Sequence, residues 1–373
     1  MKRRVAFVGP LPPPTHGFST ICAKMLDLLT ARLQVEVYDR APRTNNATLK
    51  TITQLLQPFR YIAWCTKDRN FTLYLALSGG FGQIFDWLYV IVAKILGRRI
   101  FIHHHSFAYL NKPSLLNNVF FSLLRKETHI VLSHGMGTAL ASIYKLESSN
   151  VKVVSNAAFY DSIKTTGTST MNSSSPICLG FLSNITFEKG FVEFFDVLSQ
   201  LKRRGIPHQA LIAGPVASDA STVFHRMLAA SPGTEYLGPL YAEAKDRFYE
   251  RLNFFLFPSN YVNEAEPLVI HEALRSGAYV LACDRGAIAE MLGNGAGFVS
   301  SKEAFVTAAA ERIALFSRNR AEISNAQRMS FEQAQRIRKV AQVQLESLLD
   351  DISGVIPAGE DGTPEDARNS GNI

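Results

Sequence analysis

The chain has 373 residues, more than one ordinary hydrophobic core accommodates, so two domains are the starting expectation. Hydrophobic residues make up 47% and charged residues 19%, the balance of a globular protein, and the best membrane-span candidate, residues 84–96, is interrupted by Asp86 and Lys94. The net charge of +7 is unevenly placed: residues 1–162 hold 19 Lys and Arg against 8 Asp and Glu, a net of +11, while the rest carries a net of −4.

The start Met1-Lys2-Arg3-Arg4 is followed by only four apolar residues before Gly9 and a proline run, which reads as a first strand rather than a secretion signal. A helix is expected over residues 19–32, strands over 35–38 and 72–77, a glycine turn at Gly79, Gly80 and Gly82, and an apolar helix over 84–96. A strand over 99–103, a helix over 114–125, a strand over 128–132, a helix over 138–146 and a strand over 151–154 complete the first half. Residues 164–176, Ser/Thr-rich and nearly uncharged, read as a linker. Strands then recur over 177–181, 209–213, 234–237, 254–257, 279–282 and 297–299 with helices between them. A helical region covers about 304–349, with a break between Ser317 and Arg320. The Gly/Pro/Asp/Asn-rich end, 354–373, reads as a disordered tail. Alternating strands and helices, twice over, predict an α/β chain of two doubly wound parallel sheets: residues 1–163, a linker 164–176, residues 177–335, and a last helix over 336–353.

Several function classes are disfavoured. Cys22, Cys65, Cys178 and Cys283 lie far apart without a C-x-x-C pair, against disulfide and zinc frameworks and in keeping with a reducing cytoplasm. No helix-turn-helix, RNP or zinc-finger pattern accompanies the basic half, so no nucleic-acid partner is expected. An anionic membrane surface, or an acceptor carrying a lipid diphosphate, suits that charge better. No G-x-G-x-x-G loop joins a strand to a helix, which argues against a nicotinamide or flavin cofactor.

The most informative stretch is 263–277, where Glu264 and Glu272 stand eight positions apart around a Pro-Leu-Val-Ile helix start and Gly277 is placed to end the helix. With Pro267 as the first helical residue, Glu264 lies ahead of the helix, Glu272 more than a turn inside it, and the start at Pro267, Leu268 and Val269 is an anion site suited to a diphosphate. Lys189, in the 180–190 segment, follows the first strand of the second half at another helix start, with Ser183 and Asn184 as neutral hydrogen-bonding groups. Gly17 lets the backbone approach a ligand at the first helix start. Alternation puts His103 and His105 on one face of their strand and His104 on the other. Gly238 sits in a strand-end turn with Pro239, and Ser259-Asn260-Tyr261 follow another strand.

Together these pieces resemble the family 4 retaining glycosyltransferases, over about residues 3–340. The matching segments are 9–19, 101–106, 151–156, 180–190, 210–215, 236–240 and 256–277, in the family's order. The resemblance implies the GT-B fold, two Rossmann-like domains facing a central cleft with C-terminal helices, the first binding the acceptor and the second a nucleotide sugar. It implies that Lys189 and the helix starts at Gly17 and after Pro267 hold the donor's diphosphate, Glu264 the sugar hydroxyls, Glu272 the ribose, and Gly238 the base through backbone groups. His105, or His103 as second choice, would contact the sugar. Many relatives have an Arg where this chain has Phe181, which weakens the cationic character of the loop.

The expected activity is transfer of a sugar from a nucleoside-diphosphate sugar to a hydroxyl of a glycan or lipid-linked acceptor. The resemblance points to bacterial surface polysaccharide or lipopolysaccharide synthesis. No cofactor and no metal are expected, since no D-x-D-type pair ends a strand. A peripheral position on the inner face of the cell membrane is expected from the basic first half. The alternatives on the same fold are a nucleotide-sugar epimerase, a phosphorylase, and a non-catalytic subunit.

Overall fold

The computed structural model describes residues 3–41, 47–67, 70–161 and 176–354. The linker expected over 164–176 lies outside the described residues except for its last position, and the tail expected over 354–373 lies outside them beyond Gly354.

Six parallel strands form the first sheet: β1 (Arg4–Gly9), β2 (Gln34–Asp39), β3 (Phe71–Leu77), β4 (Ile100–His104), β5 (Thr128–Val131) and β6 (Val151–Val153), in the order β2-β1-β3-β4-β5-β6. The second comprises β7 (Ile177–Leu182), β8 (His208–Ala213), β9 (Thr234–Tyr236), β10 (Phe254–Phe257), β11 (Tyr279–Cys283) and β12 (Gly297–Ser300), in the order β12-β11-β10-β7-β8-β9. Central strands such as β3 and β10 are buried along their whole length because helices cover both faces, so they read as continuous apolar runs rather than alternating ones. Strand order reverses between β1 and β3 in the first sheet and between β7 and β10 in the second. A crevice opens beyond the carboxyl ends of the strands at such points.

The expected strands are all present, their ends shifted by a residue or so. One long helix was not anticipated: Ala47–Lys67, which holds Pro58 in its interior. Proline lacks an N–H and crowds the preceding turn, so it reads as a breaker, and here the surrounding packing outweighs it. The C-terminal helices part at Asn319, between Phe305–Arg318 and Arg320–Ser353. The last helix starts on the second domain and returns to the first, where Leu345, Leu348, Leu349 and Ile352 pack into the core formed by Val5, Phe7, Ile21 and Met25. Arg32 to Glu346 (2.6 Å) and Lys152 to Asp351 add ion pairs at its end. All four cysteines are buried and unpaired.

Candidate active site

The second sheet's reversal point brings Lys189 and Glu264 together. Lys189 ends the 3₁₀ turn Phe187–Lys189 in the loop after β7, and Glu264 lies in the loop after β10. Lys189 Nζ is 2.5 Å from Glu264 Oε2, and the ammonium lies 4.9 Å from the ring of Tyr261. Ser259, fully buried, sits 3.4 Å from the same Oε2. Gly190 holds the two loops close: its φ is +81°, and a Cβ there would stand 2.1 Å from the Pro258 carbonyl oxygen. Ser183 is partly buried and Asn184 exposed on the same loop. Phe181 is 1% exposed and packs against Phe194, so its side chain belongs to the core beneath the loop.

The helix of the E-x7-E segment runs Leu268–Arg275. Pro267 is its N-cap, with extended backbone (φ −66°, ψ 122°), not its first residue, which corrects the expectation. Pro267 also has no N–H, so it contributes shape rather than a donor. Among the described residues the amides of Leu268 and Val269 carry no hydrogen bond, while Ile270 N already donates to Pro267 O at 3.1 Å. At the other end, Gly277 (φ +81°) closes the helix as expected: its N–H donates to Leu274 O and that of Ala278 to Ala273 O. Glu272 faces away from Glu264's partners. It accepts from Lys245 Nζ (2.7 Å), Tyr249 OH (3.0 Å) and Tyr160 OH (3.3 Å). Burial, followed by the charge of Glu272, pushes both phenols well above the usual tyrosine range, so they remain protonated donors.

The first domain contributes a second helix start opposite this one. His16 caps the helix Gly17–Arg32 through a reciprocal bond with Ser19, and the amides of Gly17 and Phe18 carry no hydrogen bond among the described residues. A Cβ at Gly17 would lie 3.6 Å from the Leu268 side chain, so the two helix starts, one from each domain, face each other across the cleft. Beside them the Phe18 ring packs at a tilt against His105 (centroids 4.6 Å apart), and His105 against His103 (4.0 Å). The Nε2 atoms of both histidines are buried without a hydrogen-bond partner among the described residues. Burial lowers both rings' pKa, His103 to about 3, so both are neutral near pH 7. His104 points the other way, into a buried chain with Tyr109 (2.7 Å) and His129 (3.0 Å). Gly238 (φ +69°) lies at the end of β9, its carbonyl accepting from Gly214 N.

Several groups were missed in the sequence. Lys245 and Tyr249 stand on the helix Ala242–Glu250 and meet Glu272 only through the fold. Glu266, between the two motif acids, is a cross-domain tie. Its carboxylate accepts from Ser155 Oγ and from Asn156 N (2.7 Å) at the end of the first domain, and from His271 Nε2 (2.9 Å) on its own helix. A second tie runs from Glu290 to the amides of His134 (3.0 Å) and Gly135 (2.7 Å), at the start of the helix His134–Tyr144. Acid spacing along the chain carries no sign of either tie, since the partners lie more than 100 residues away.

Residues 170–338 match the family of glycosyl transferases group 1. The second domain is therefore a glycosyltransferase domain. The enzyme class expected from the sequence, a glycosyltransferase, rests on that match. Similar solved structures extend the likeness to the whole fold. HepE of Anabaena, solved in complex with UDP, is 16% identical with a TM-score of 0.69, covering 94% of this chain and 100% of its own. Sucrose-phosphate synthase of Thermosynechococcus elongatus is 14% identical with a TM-score of 0.71, covering 95% and 100%. The lipopolysaccharide outer core galactosyltransferase WaaB is 15% identical with a TM-score of 0.69, covering 93% and 99%. At these identities the likeness establishes the two-domain GT-B fold. No curated protein matches the sequence.

Proposed function

We propose that the protein moves a sugar from a nucleoside diphosphate to a hydroxyl of a glycan or lipid-linked acceptor, with retention of configuration and without a metal ion. The observation that carries this reading is the pair of opposed helix starts, Gly17–Phe18 and Leu268–Val269, with Lys189 and Glu264 at the adjoining strand reversal. Two sets of free amides and one ammonium converge on a cleft, a suitable environment for a departing nucleoside diphosphate. Glu264 would receive sugar hydroxyls and Glu272 the ribose, with the base near Gly238. The neutral, unpartnered Nε2 atoms of His103 and His105 are suited to hydrogen-bonding a sugar hydroxyl, and His105 is the outer of the two. Ser183 and Asn184 lie on the Lys189 loop and offer neutral hydrogen bonds to the same diphosphate. HepE, crystallised with UDP and with UDP-glucose, supports a nucleotide-sugar donor, and WaaB supports a surface-polysaccharide setting.

The test is incubation with a panel of nucleotide sugars while following nucleoside diphosphate release with and without a hydroxyl acceptor. Acceptor-dependent release supports transfer. Conversion of the nucleotide sugar without release would indicate an epimerase, phosphate-dependent release a phosphorylase, and no turnover a binding subunit. Glu272→Ala is expected to weaken nucleoside diphosphate binding by about 1.5–3 kcal/mol, the range for a lost charged hydrogen bond. Unchanged affinity by calorimetry in a folded variant would remove Glu272 from the site.

The acceptor side of this reading is a membrane surface. Three neighbouring helices of the first domain expose aliphatic and aromatic side chains: Leu56, Phe59 and Ile62 on Ala47–Lys67; Ile84, Leu88, Ile91 and Ile95 on Gln83–Ile95; and Leu115, Leu116, Val119 and Leu123 on Leu115–Leu123. Tyr61–Tyr89 and Trp87–Phe120 ring contacts join the three. Their one acid, Asp86, is buried against Arg40, whereas Arg60, Lys67, Lys112, Arg125 and Lys126 are exposed on or beside them. An apolar face fringed mainly by cations, with Glu36 paired to Arg60 at 3.8 Å, suits an anionic bilayer. Co-sedimentation with anionic vesicles at low salt, reduced by neutral lipid and by high salt, is the expected result. Equal recovery with both lipids, or none with either, would favour a soluble acceptor.

A further inference from the structure

Lys245 lies outside every motif that the sequence displays, yet it is the closest partner of Glu272. Its Nζ is 2.7 Å from Oε1 and 2.6 Å from Oε2, while Tyr249 OH reaches Oε2 and Tyr160 OH reaches Oε1. A carboxylate offers about four acceptor sites, and these four contacts occupy them. A ribose diol can reach Glu272 only when one partner yields.

The tyrosines are poorly placed to yield. Tyr249 is 1% exposed and packs edge-on against Phe248 and Phe255. Tyr160 OH is also 3.2 Å from Leu268 O, and its ring lies against the charged ends of Lys24 (5.0 Å) and Arg275 (4.9 Å). Lys245 is different. Its side chain is 26% exposed, it has a flexible four-carbon stem, and Glu272 is its one polar partner among the described residues. An ammonium leaving a carboxylate in a partly buried cleft needs another anion. The free amides of Leu268 and Val269 stand about one turn away along the same helix, roughly 5 Å in rise. The loop that carries Lys189 supplies no second cation, because position 181 is a buried phenylalanine.

We propose that Lys245 is a donor-site residue that passes from Glu272 to the diphosphate of the bound nucleotide as the ribose takes its place on Glu272. The inference rests on the nucleotide-sugar reading above. It makes the two acids of the motif equivalent in design, each held by its own lysine until the ligand divides the pair.

The experiment compares affinities for UDP, GDP and ADP, by calorimetry, with those for uridine, guanosine and adenosine, by NMR titration, in the wild type and in Lys245→Met, Lys245→Arg and Glu272→Ala. Lys245→Met is expected to lose tenfold or more in affinity for the preferred diphosphate, while affinity for the matching nucleoside stays level or rises because Glu272 is freed. Lys245→Arg should retain diphosphate binding within a few fold. Glu272→Ala should weaken nucleoside and diphosphate alike. If Lys245→Met weakens both ligands equally, Lys245 only positions Glu272 and the proposal is overturned; it is overturned too if neither affinity moves. If the wild type binds none of the diphosphates, the donor reading fails and takes the proposal with it.

Discussion

Lys189→Ala is expected to slow sugar transfer by about tenfold to a thousandfold, the range for removing one positioned charge from a developing anion. The ammonium sits at the strand-reversal point, 2.5 Å from Glu264 and beside the face-to-face helix starts. Its removal also leaves the Glu264 carboxylate, 14% exposed, uncompensated next to an incoming diphosphate, so repulsion adds to the lost attraction. Glu264→Gln should lower turnover more than nucleotide affinity, because the contact assigned to it is with the sugar. Since the two side chains share one ion pair, the double variant should be less impaired than the product of the single effects. Turnover of Lys189→Ala within threefold of the wild type would take Lys189 out of the site, and near wild-type turnover of Glu264→Gln would do the same for Glu264.

Glu266→Ala is expected to cost about 3–5 kcal/mol of stability, the range for removing one partner from a buried charged network. Its side chain is 2% exposed and holds three donors: Ser155 Oγ, Asn156 N and His271 Nε2. Two of these come from the end of the first domain. Alanine would leave all three without their acceptor inside the domain junction, and each unsatisfied buried group costs about 1–3 kcal/mol before any water enters. Glu264 and Pro267 flank this residue, so the donor loop should loosen together with the junction and turnover should fall with stability. Denaturant unfolding followed by fluorescence is the measurement. A loss below about 1 kcal/mol would mean that solvent satisfies these donors and that the tie contributes little.

Much of the second domain's chemistry was legible because it depends on short-range rules. Gly277 closes its helix through a positive φ that other side chains resist, and the apolar spacing from Leu268 to Leu274 announces the helix it closes. Pro267 marks that helix's start equally well, but its φ suits both the N-cap and the first turn, and the surrounding backbone chose the cap. Strand alternation separated His103 and His105 from His104, since successive side chains on a strand point to opposite faces. The helix Ala47–Lys67 was hidden for the opposite reason: a local breaker, Pro58, lies in a helix whose buried Tyr61 packs against Tyr38 and Tyr89 of other elements.

The sequence by itself determined the two runs of alternating strands and helices, the E-x7-E helix and its closing glycine, and the loop that carries Lys189. Each is encoded within a few consecutive residues, where dihedral preference and apolar period act directly. Only the tertiary structure decided that Lys189 meets Glu264, that Lys245 saturates Glu272, that Gly17 faces Leu268, and that Glu266 ties one domain to the other. Those meetings depend on strand order and on how the last helix draws the domains together. The partners lie from 27 to more than 200 residues apart in the chain. Hydrophobic burial within each domain and along the last helix brings them within hydrogen-bonding distance or van der Waals contact, and no spacing along the chain encodes that approach.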